Sequence, residues 1–454
     1  MAEQYDLIVI GAGPGGYLSA VKAASKGMKT AVVEEREIGG TCLNRGCIPT
    51  KTIMHSTELL QEIKSCGTVG ISVGEASCSM DQVQEHKEAV LEQLRAGIAA
   101  LFKKSKITLY QGKGQITGAH SVKVGEEELT AKNILIVTGS VPAMPPIPGM
   151  DLPGVLNSDG LLAKGDPVPE KLVIIGGGVI GMEFASIYQA LGTQVTVIEA
   201  LDRILATLDK EIGQSLKMLL KKRGVDIHTG AKVEKITEAG EGILSVTYTE
   251  KDKPVTVEAD TILVAVGRRA YTEGLLGPGV ELAMDRGKIC VDEHFQTSIP
   301  GIYAAGDCIG GIQLAHVASA EAINAVCHMN GEEPEMDLSV VPSCVYTSPE
   351  IASVGLSAEE AKAAGRSVLT AKYPMSANGK SLLSGQERGF IKVLADPETH
   401  RILGAQMMCA RATDMISEFG MAIANGLTAE QMASVIRPHP TFSEGISEAA
   451  ELLL

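Results

Sequence analysis

Tryptophan is absent from the 454 residues, and aromatic residues amount to only 3%. Such a chain is a poor match to an aromatic-rich β sandwich, whereas its 50 glycines fit a fold with many tight strand-to-helix turns. No apolar run approaches the ~18 residues that a membrane-spanning helix requires. Basic residues fall short of acidic ones, 40 against 55, leaving a formal charge of −15. That sign argues against nucleic acid or an anionic membrane surface as the main partner. Nine cysteines over this length are too sparse for a disulfide scaffold. The start, Met1-Ala2-Glu3-Gln4, runs directly into Leu7-Ile8-Val9-Ile10 without a basic segment or a cleavage site. No secretory leader is expected, and the expected location is cytoplasmic. The 45% of hydrophobic residues can fill a large core, and at ~150 residues per domain the length predicts about three domains of an α/β protein.

One unit occurs twice. Leu7-Ile8-Val9-Ile10 enters a turn containing Gly11, Gly13 and Gly16, followed by a helical stretch from Tyr17 to Lys26 and an apolar strand ending at Glu34. Leu172-Val173-Ile174-Ile175 enters a turn with Gly176, Gly178 and Gly181, then a helical stretch to Leu191 and a strand ending at Glu199. The distance from first glycine to acid is 23 residues in both. A glycine triplet alone often serves only close helix packing. Strand, turn, helix and distal acid together point to a dinucleotide: backbone N–H groups at a helix start meet the pyrophosphate, and the acid accepts from a ribose hydroxyl. Two copies imply either two nicotinamide sites or one flavin and one nicotinamide site.

The strand Thr297 to Ala305 closes on Gly306-Asp307, where a carboxylate can hold a hydroxyl-bearing part of a cofactor such as a ribityl chain, or cap the next helix. Ile134 to Ser140 and Ile262 to Arg268 read as strands returning to the same layer. The prolines 142, 145, 146 and 148 mark a linker. The expected division is a first dinucleotide domain from 1–142 and 265–336, a second from 143–264 inserted into it, and a remainder from 337–454. That remainder has no dinucleotide turn; its strand-like runs (345–354, 389–394, 404–408) and amphipathic helices (412–424, 429–435) predict α+β.

Gly39-Gly40-Thr41-Cys42-Leu43-Asn44-Arg45-Gly46-Cys47-Ile48-Pro49-Thr50-Lys51 carries the sharpest signal. If Cys47 opens a helix, its thiolate sits at the positive end with Lys51 on the same face. Two reduced core thiols are one reading, as for Cys66, Cys78, Cys290, Cys308, Cys327, Cys344 and Cys409. A metal site would want a second Cys/His pair, which is missing. Redox chemistry is the favoured reading.

The cysteine segment resembles the active-site segment of the pyridine nucleotide–disulfide oxidoreductases, and among them the members that oxidise dihydrolipoamide. The likeness runs from Asp6 to Glu448 and includes Leu314-Ala315-His316 and His439-Pro440-Thr441-Phe442-Ser443-Glu444. It implies two Rossmann-like domains, FAD in the first turn, NAD in the second, and a C-terminal dimerisation domain. It implies a redox disulfide between Cys42, the interchange thiol, and Cys47, the thiol next to the flavin. His439 would be the base, oriented by Glu444 and serving the cysteines of the other subunit. Lys51 and Glu183 would form a buried ion pair beside the flavin. FAD contacts would come from Gly40, Thr41, Lys51, Gly114, Thr138, Gly139, Ser140, Ala315 and His316, with Glu34 on the adenosine ribose and Asp307 on the ribityl chain. Gly267 belongs with the nucleotide contacts, and Glu199 would repel a 2′-phosphate and so favour NAD(H) over NADP(H). The partners implied are dihydrolipoamide on lipoyl domains, the binding domain of an acyltransferase core (with which a −15 charge is compatible) and a second copy of the chain. The parent complex would handle a 2-oxo acid, acetoin or glycine.

Two departures stand out. Arg45 takes the place of a small apolar residue common between such cysteines, and either lowers a thiol pKa or points to solvent. Phe442 replaces the more usual Leu. The competing reading is another NAD(P)H-dependent disulfide or mercuric reductase of the same family; the chain end, Ala449 to Leu454, has no cysteine pair for mercury. A non-catalytic flavoprotein subunit is a further alternative.

Overall fold

The computed structural model describes residues 4–454. Met1, Ala2 and Glu3, on which the expected lack of a leader partly rests, lie outside the described residues. The run Gln4–Ile10 is a central strand, flanked in parallel by Thr30–Glu34 and Glu127–Ile136, with Leu7 beside Thr30 on one side and Asn133 on the other. Leu7, Ile8 and Val9 are fully buried, as expected for a parallel strand covered on both faces. Thr108–Gln111 extends one edge, Ile302–Ala304 pairs with Glu127–Ile136, and an antiparallel hairpin, Gly114–Gly118 and Ser121–Val124, finishes the other edge.

A second sheet repeats the plan. Its five parallel strands run in the order Asp226–Thr229, Gln194–Glu199, Lys171–Ile175, Thr261–Val264, Val155–Asn157. A three-stranded antiparallel meander, Ala231–Ala259, packs against it. The expectation that Ile134–Ser140 and Ile262–Arg268 return to one layer does not hold. Ile134 pairs with Ile8 in the first sheet, whereas Ile262 pairs with Val173 in the second. Each glycine-turn strand takes a second parallel neighbour on its other edge, so each run joins its own sheet as an internal strand.

The C-terminal segment forms an antiparallel sheet in the order Ser343–Val345, Glu350–Gly355, Ile402–Cys409, Phe390–Ala395, Leu369–Pro374. The helices Ala412–Ala424, Ala429–Ala433 and Glu444–Glu451 pack with it around one apolar cluster. The run 345–354 is two strands rather than one, broken at the turn containing Pro349. The long helix Met80–Lys104, the meander and Leu369–Pro374 had not been anticipated.

An ion cluster fastens the second sheet's layer to the C-terminal sheet. Lys392, on the strand Phe390–Ala395, donates to both oxygens of Asp209 at 2.9 Å and to Glu211 at 3.0 Å. Asp209 is the N-cap of the helix Lys210–Lys222 and accepts from Glu211 N–H as well. Burial alone would pull the Lys392 ammonium down, but its hydrogen bonds to both carboxylates outweigh it and hold its pKa above the ordinary lysine value. Lys392→Met leaves the Asp209 carboxylate buried without its cation, a loss of about 3–5 kcal/mol. Thermal unfolding should therefore begin several degrees lower, and an unchanged melting temperature would show that the cluster does not fasten the two layers.

Candidate active site

The first and third glycines of the two turns make the same close approaches. Gly11 and Gly176 have φ of 106° and 115°, and a Cβ at either would lie within 2.4 Å of a carbonyl oxygen, that of Val137 or of Ala265. A Cβ at Gly16 or Gly181 would lie within 2.1 Å of the carbonyl of Gly11 or Gly176, so helix and strand touch there. The middle glycines differ: a Cβ on Gly178 would meet nothing within 4 Å, and one on Gly13 only the Gly40 Cα at 3.9 Å. The backbone at both middle positions therefore borders open space at a helix N-terminus. This is where the helices Pro14–Ser25 and Val179–Leu191 present their unpaired N–H groups.

The distal acids repeat the same contacts. Glu34 accepts from Ala12 N–H at 2.7 Å and Arg36 N–H at 2.9 Å. Glu199 accepts from Gly177 N–H and from Leu201 N–H at 2.7 Å. Burial pushes the Glu34 carboxyl up, and the two backbone bonds counter it.

Both turns open into one cleft of about 1460 Å³, larger than the ~300–1,000 Å³ that one small ligand occupies. Its walls include Cys42 and Cys47. Cys42 lies in the short helix Gly40–Arg45, and Cys47 opens the helix Cys47–Ser65. Asn44 ties the turn down by donating to the carbonyls of Gly40 at 2.9 Å and Ile38 at 3.1 Å. Both cysteines are thiols. A hydrogen bond from Cys42, aided by the Lys51 ammonium, brings the Cys47 thiol below its ordinary value. The same hydrogen bond, together with burial, pushes the Cys42 thiol far up. Arg45 pairs with Glu37 instead, which leaves Lys51 as the cation acting on the thiols.

Lys51 Nζ donates to both oxygens of Glu183, at 2.8 and 2.9 Å, and stands 4.4 Å from the centroid of the Tyr346 ring. Glu183 is only 5% exposed and is the one charged residue of its helix, and it also accepts from Tyr346 N–H at 3.1 Å. Nothing local in the sequence marks Tyr346, which meets Lys51 only through the fold.

Asp307 also lines the cleft and is hydrogen-bonded to Ser140 Oγ, which Arg268 braces through Nε at 2.7 Å. Arg268 was missed; its place directly after Gly267 was the available signal. Gly114, Thr138 and Gly139 line the same region, and Gly40 meets Gly13 so closely that a Cβ there would come within 2.6 Å of the Gly13 Cα. The helix Ala315–Met329 turns its N-terminus to the cleft, and His316 Nε2 donates to the carbonyl of Pro342 at 2.8 Å.

His439 stands apart. Its Nδ1 is 2.8 Å from Glu444 Oε1, and Glu444 also accepts from Thr441 N–H at 2.8 Å. Those two contacts hold the Glu444 carboxyl below its usual range. The His439 side chain is 79% exposed and does not line its own chain's cleft. Three residues earlier in the chain, Ile436 is 97% exposed.

The chain belongs to the pyridine nucleotide-disulphide oxidoreductase family, matching it over residues 5–322 and matching the family's dimerisation domain over 341–450. A dihydrolipoyl dehydrogenase of Bacillus subtilis is 43% identical, with 99% of this chain and 98% of that one covered. The dihydrolipoamide dehydrogenase of Chaetomium thermophilum is 39% identical over 98% of this chain and 90% of its own. Among solved structures, LpdA from Mycobacterium tuberculosis is 28% identical and covers both chains fully with a TM-score of 0.91. The HOCl-induced flavoprotein disulfide reductase RclA of Escherichia coli is 30% identical, covers 99% and 100%, and has a TM-score of 0.89.

The cofactors of such a chain are FAD and NAD, and the residues present fit both. Each dinucleotide needs a helix start with open backbone and a carboxylate at the neighbouring strand end, and the cleft has two such places. Among the described residues no group of three or more His, Cys, Asp or Glu could hold a metal ion.

Two expectations follow from this geometry. Gly178→Ala has room for its methyl group within the protein but occupies the space left to a pyrophosphate. Calorimetry should show nucleotide binding weakened about tenfold or more, ~1.4 kcal/mol, at an unchanged melting temperature; equal affinity would mean that the open space serves no ligand. Only a thiolate is alkylated, so in the reduced protein Cys47 should react with iodoacetamide at a rate that rises with pH and reaches half its plateau below the pH at which an ordinary thiol does. Lys51→Met should move that midpoint upward, and a midpoint left in place would remove Lys51 as its cause.

Proposed function

We propose that the chain is a dihydrolipoyl dehydrogenase, oxidising dihydrolipoamide to lipoamide and reducing NAD⁺. The observation that carries this reading is the pair Cys42 and Cys47 at a helix start, inside one cleft with two dinucleotide turns. FAD, when bound, relays two electrons between the dithiol pair and the nicotinamide. The first turn, with Gly11, Gly13, Gly16 and Glu34, would hold FAD together with Gly40, Thr41, Gly114, Thr138, Gly139, Ser140, Asp307, Ala315 and His316. The second, with Gly176, Gly178, Gly181, Glu199 and Gly267, would hold NAD(H). Glu199, its carboxylate fixed by two N–H groups, disfavours a 2′-phosphate.

In the oxidised protein Cys42 and Cys47 share a disulfide. A substrate thiolate attacks the Cys42 sulfur; a substrate–Cys42 bond forms, the Cys42–Cys47 bond breaks, and Cys47 leaves as thiolate. The second substrate sulfur attacks the first and closes the lipoyl ring; the substrate–Cys42 bond breaks, and the proton lost by that second thiol passes to Cys42, which leaves as a thiol. The substrate has lost two electrons and the cysteine pair has gained them. A thiol of low pKa leaves readily, which suits Cys47, and the raised pKa of Cys42 returns it protonated. Lys51, locked to Glu183, holds positive charge beside the departing Cys47.

The substrate thiol has to lose a proton first. His439 donates from Nδ1 to Glu444, which leaves its Nε2 lone pair free to accept that proton. Because His439 faces away from its own cleft, it would serve the cysteines of a second copy. The dimerisation domain and the exposed Ile436 support that arrangement. The dithiol would be carried on lipoyl domains, and the protein would act in the cytoplasm as the E3 component of a 2-oxo acid dehydrogenase, acetoin or glycine cleavage complex, held by the binding domain of its acyltransferase.

Cys42→Ser and His439→Gln homodimers should each lose about 10²–10⁴-fold in dihydrolipoamide:NAD⁺ turnover. Dimers mixed from the two variants should regain activity, because one cysteine pair then faces one intact His439. Mixed dimers as inactive as either parent would place His439 in its own subunit's site, and full activity of Cys42→Ser would overturn the proposed chemistry.

A further inference from the structure

The cleft wall after Glu199 carries one cation, Arg203, in the segment from 199 to 207. This segment is pinned to the second glycine turn. Leu205 N–H donates to the Gly177 carbonyl at 2.9 Å, and Gly177 N–H donates to Glu199. Arg203 thus borders the same part of the cleft as Glu199, Leu201 and Ala206. A free guanidinium there is the group that a 2′-phosphate would seek, because arginine pairs with phosphate through two N–H donors.

Both arms of this guanidinium are already engaged. Nη2 donates to the Ala206 carbonyl at 3.0 Å and Nη1 to Glu359 Oε1 at 2.9 Å. Glu359 belongs to neither nucleotide unit and does not line the cleft. It stands in the first turn of the helix Ala358–Ala363, beyond the C-terminal strand Glu350–Gly355. A capping box between Ser357 and Glu360 fixes that turn, so the carboxylate is presented from a set position.

We infer that Glu359 is a positioning residue for coenzyme choice: by occupying Arg203 it withholds the local cation from a 2′-phosphate, adding to the repulsion by Glu199. Discrimination between NAD and NADP then depends on the C-terminal domain as well as on the nucleotide domain. This rests on the reading of the second glycine turn as the NAD site. Arg203 and Glu359 are both partly exposed, so the effect has the size of a surface ion pair, about two- to fivefold in a binding ratio.

The test is calorimetric titration of the FAD-loaded protein with ADP and with 2′,5′-ADP. In Glu359→Gln the affinity for 2′,5′-ADP relative to ADP should rise about two- to fivefold, and Glu359→Asp should restore the original ratio. In the double variant Arg203→Met, Glu359→Gln the gain should vanish. Arg203→Met alone should change the ratio little, because its charge is already occupied. An unmoved ratio in Glu359→Gln, or a gain that survives loss of Arg203, overturns the inference while leaving the NAD site in place. Failure of the FAD-loaded wild-type protein to bind ADP at all overturns the NAD site and the inference with it.

Discussion

A buried carboxylate in the middle of an otherwise uncharged helix has to be answered by a cation, and here the answer comes from a helix 132 residues away in sequence. Glu183 is buried on Val179–Leu191, the helix that begins at the second glycine turn, and Lys51 is four residues past Cys47 on the cysteine helix. A buried carboxylate left alone is costly, whereas one that accepts two hydrogen bonds from an ammonium and one from Tyr346 N–H is satisfied. Satisfying it fixes the register between the thiols and the second nucleotide turn. It also holds the cation close enough to Cys47 to favour its thiolate. Specificity of arrangement and tuning of charge therefore come from the same pair.

The two nucleotide units show what a repeated pattern conserves physically and what it leaves free. In each, the distal acid reaches back to the N–H following the first glycine and forward to the N–H two residues beyond itself. That chelation sets the carboxylate at the strand end without any further side chain. The surroundings differ. The first turn touches Gly40 of the cysteine segment and faces the Asp307–Ser140–Arg268 group; the second is bordered by Ala200, Leu201 and Arg203. Equal scaffolds thus present different walls to what they hold, and the difference arises from long-range contacts.

Local patterns made much of this legible. The glycine spacings and the strands before them announced both parallel units, because φ near +110° at Gly11 and Gly176 and contact distances near 2 Å at Gly16 and Gly181 leave room for no other residue. The helix starting at Cys47 and the helix 412–424 were equally visible from their own residues. Sheet membership was not: Ile134 and Ile262 are alike as sequence, and only hydrogen-bond partners far along the chain separate them. Lys392 with Asp209, Lys51 with Tyr346 and Arg268 with Ser140 are partnerships of the folded state, joining residues whose neighbours in sequence give no hint of each other. Arg45 illustrates the same limit, since its acidic partner Glu37 decides between the two options its position left open.

Under the proposed function, His439 would make a single chain an incomplete description of the site. The histidine and its carboxylate are well arranged for proton transfer, with Glu444 held ionised by Thr441 N–H and by the imidazole itself. Yet the ring points to solvent, near an almost fully exposed Ile436. An imidazole backed by a carboxylate with nothing in front of it, and an apolar side chain with nothing to pack on, would both be accounted for by the surface of a second copy. Burying Ile436 against it would also draw water away from the imidazole. The proton would then pass in a drier setting, where the bond to Glu444 counts for more.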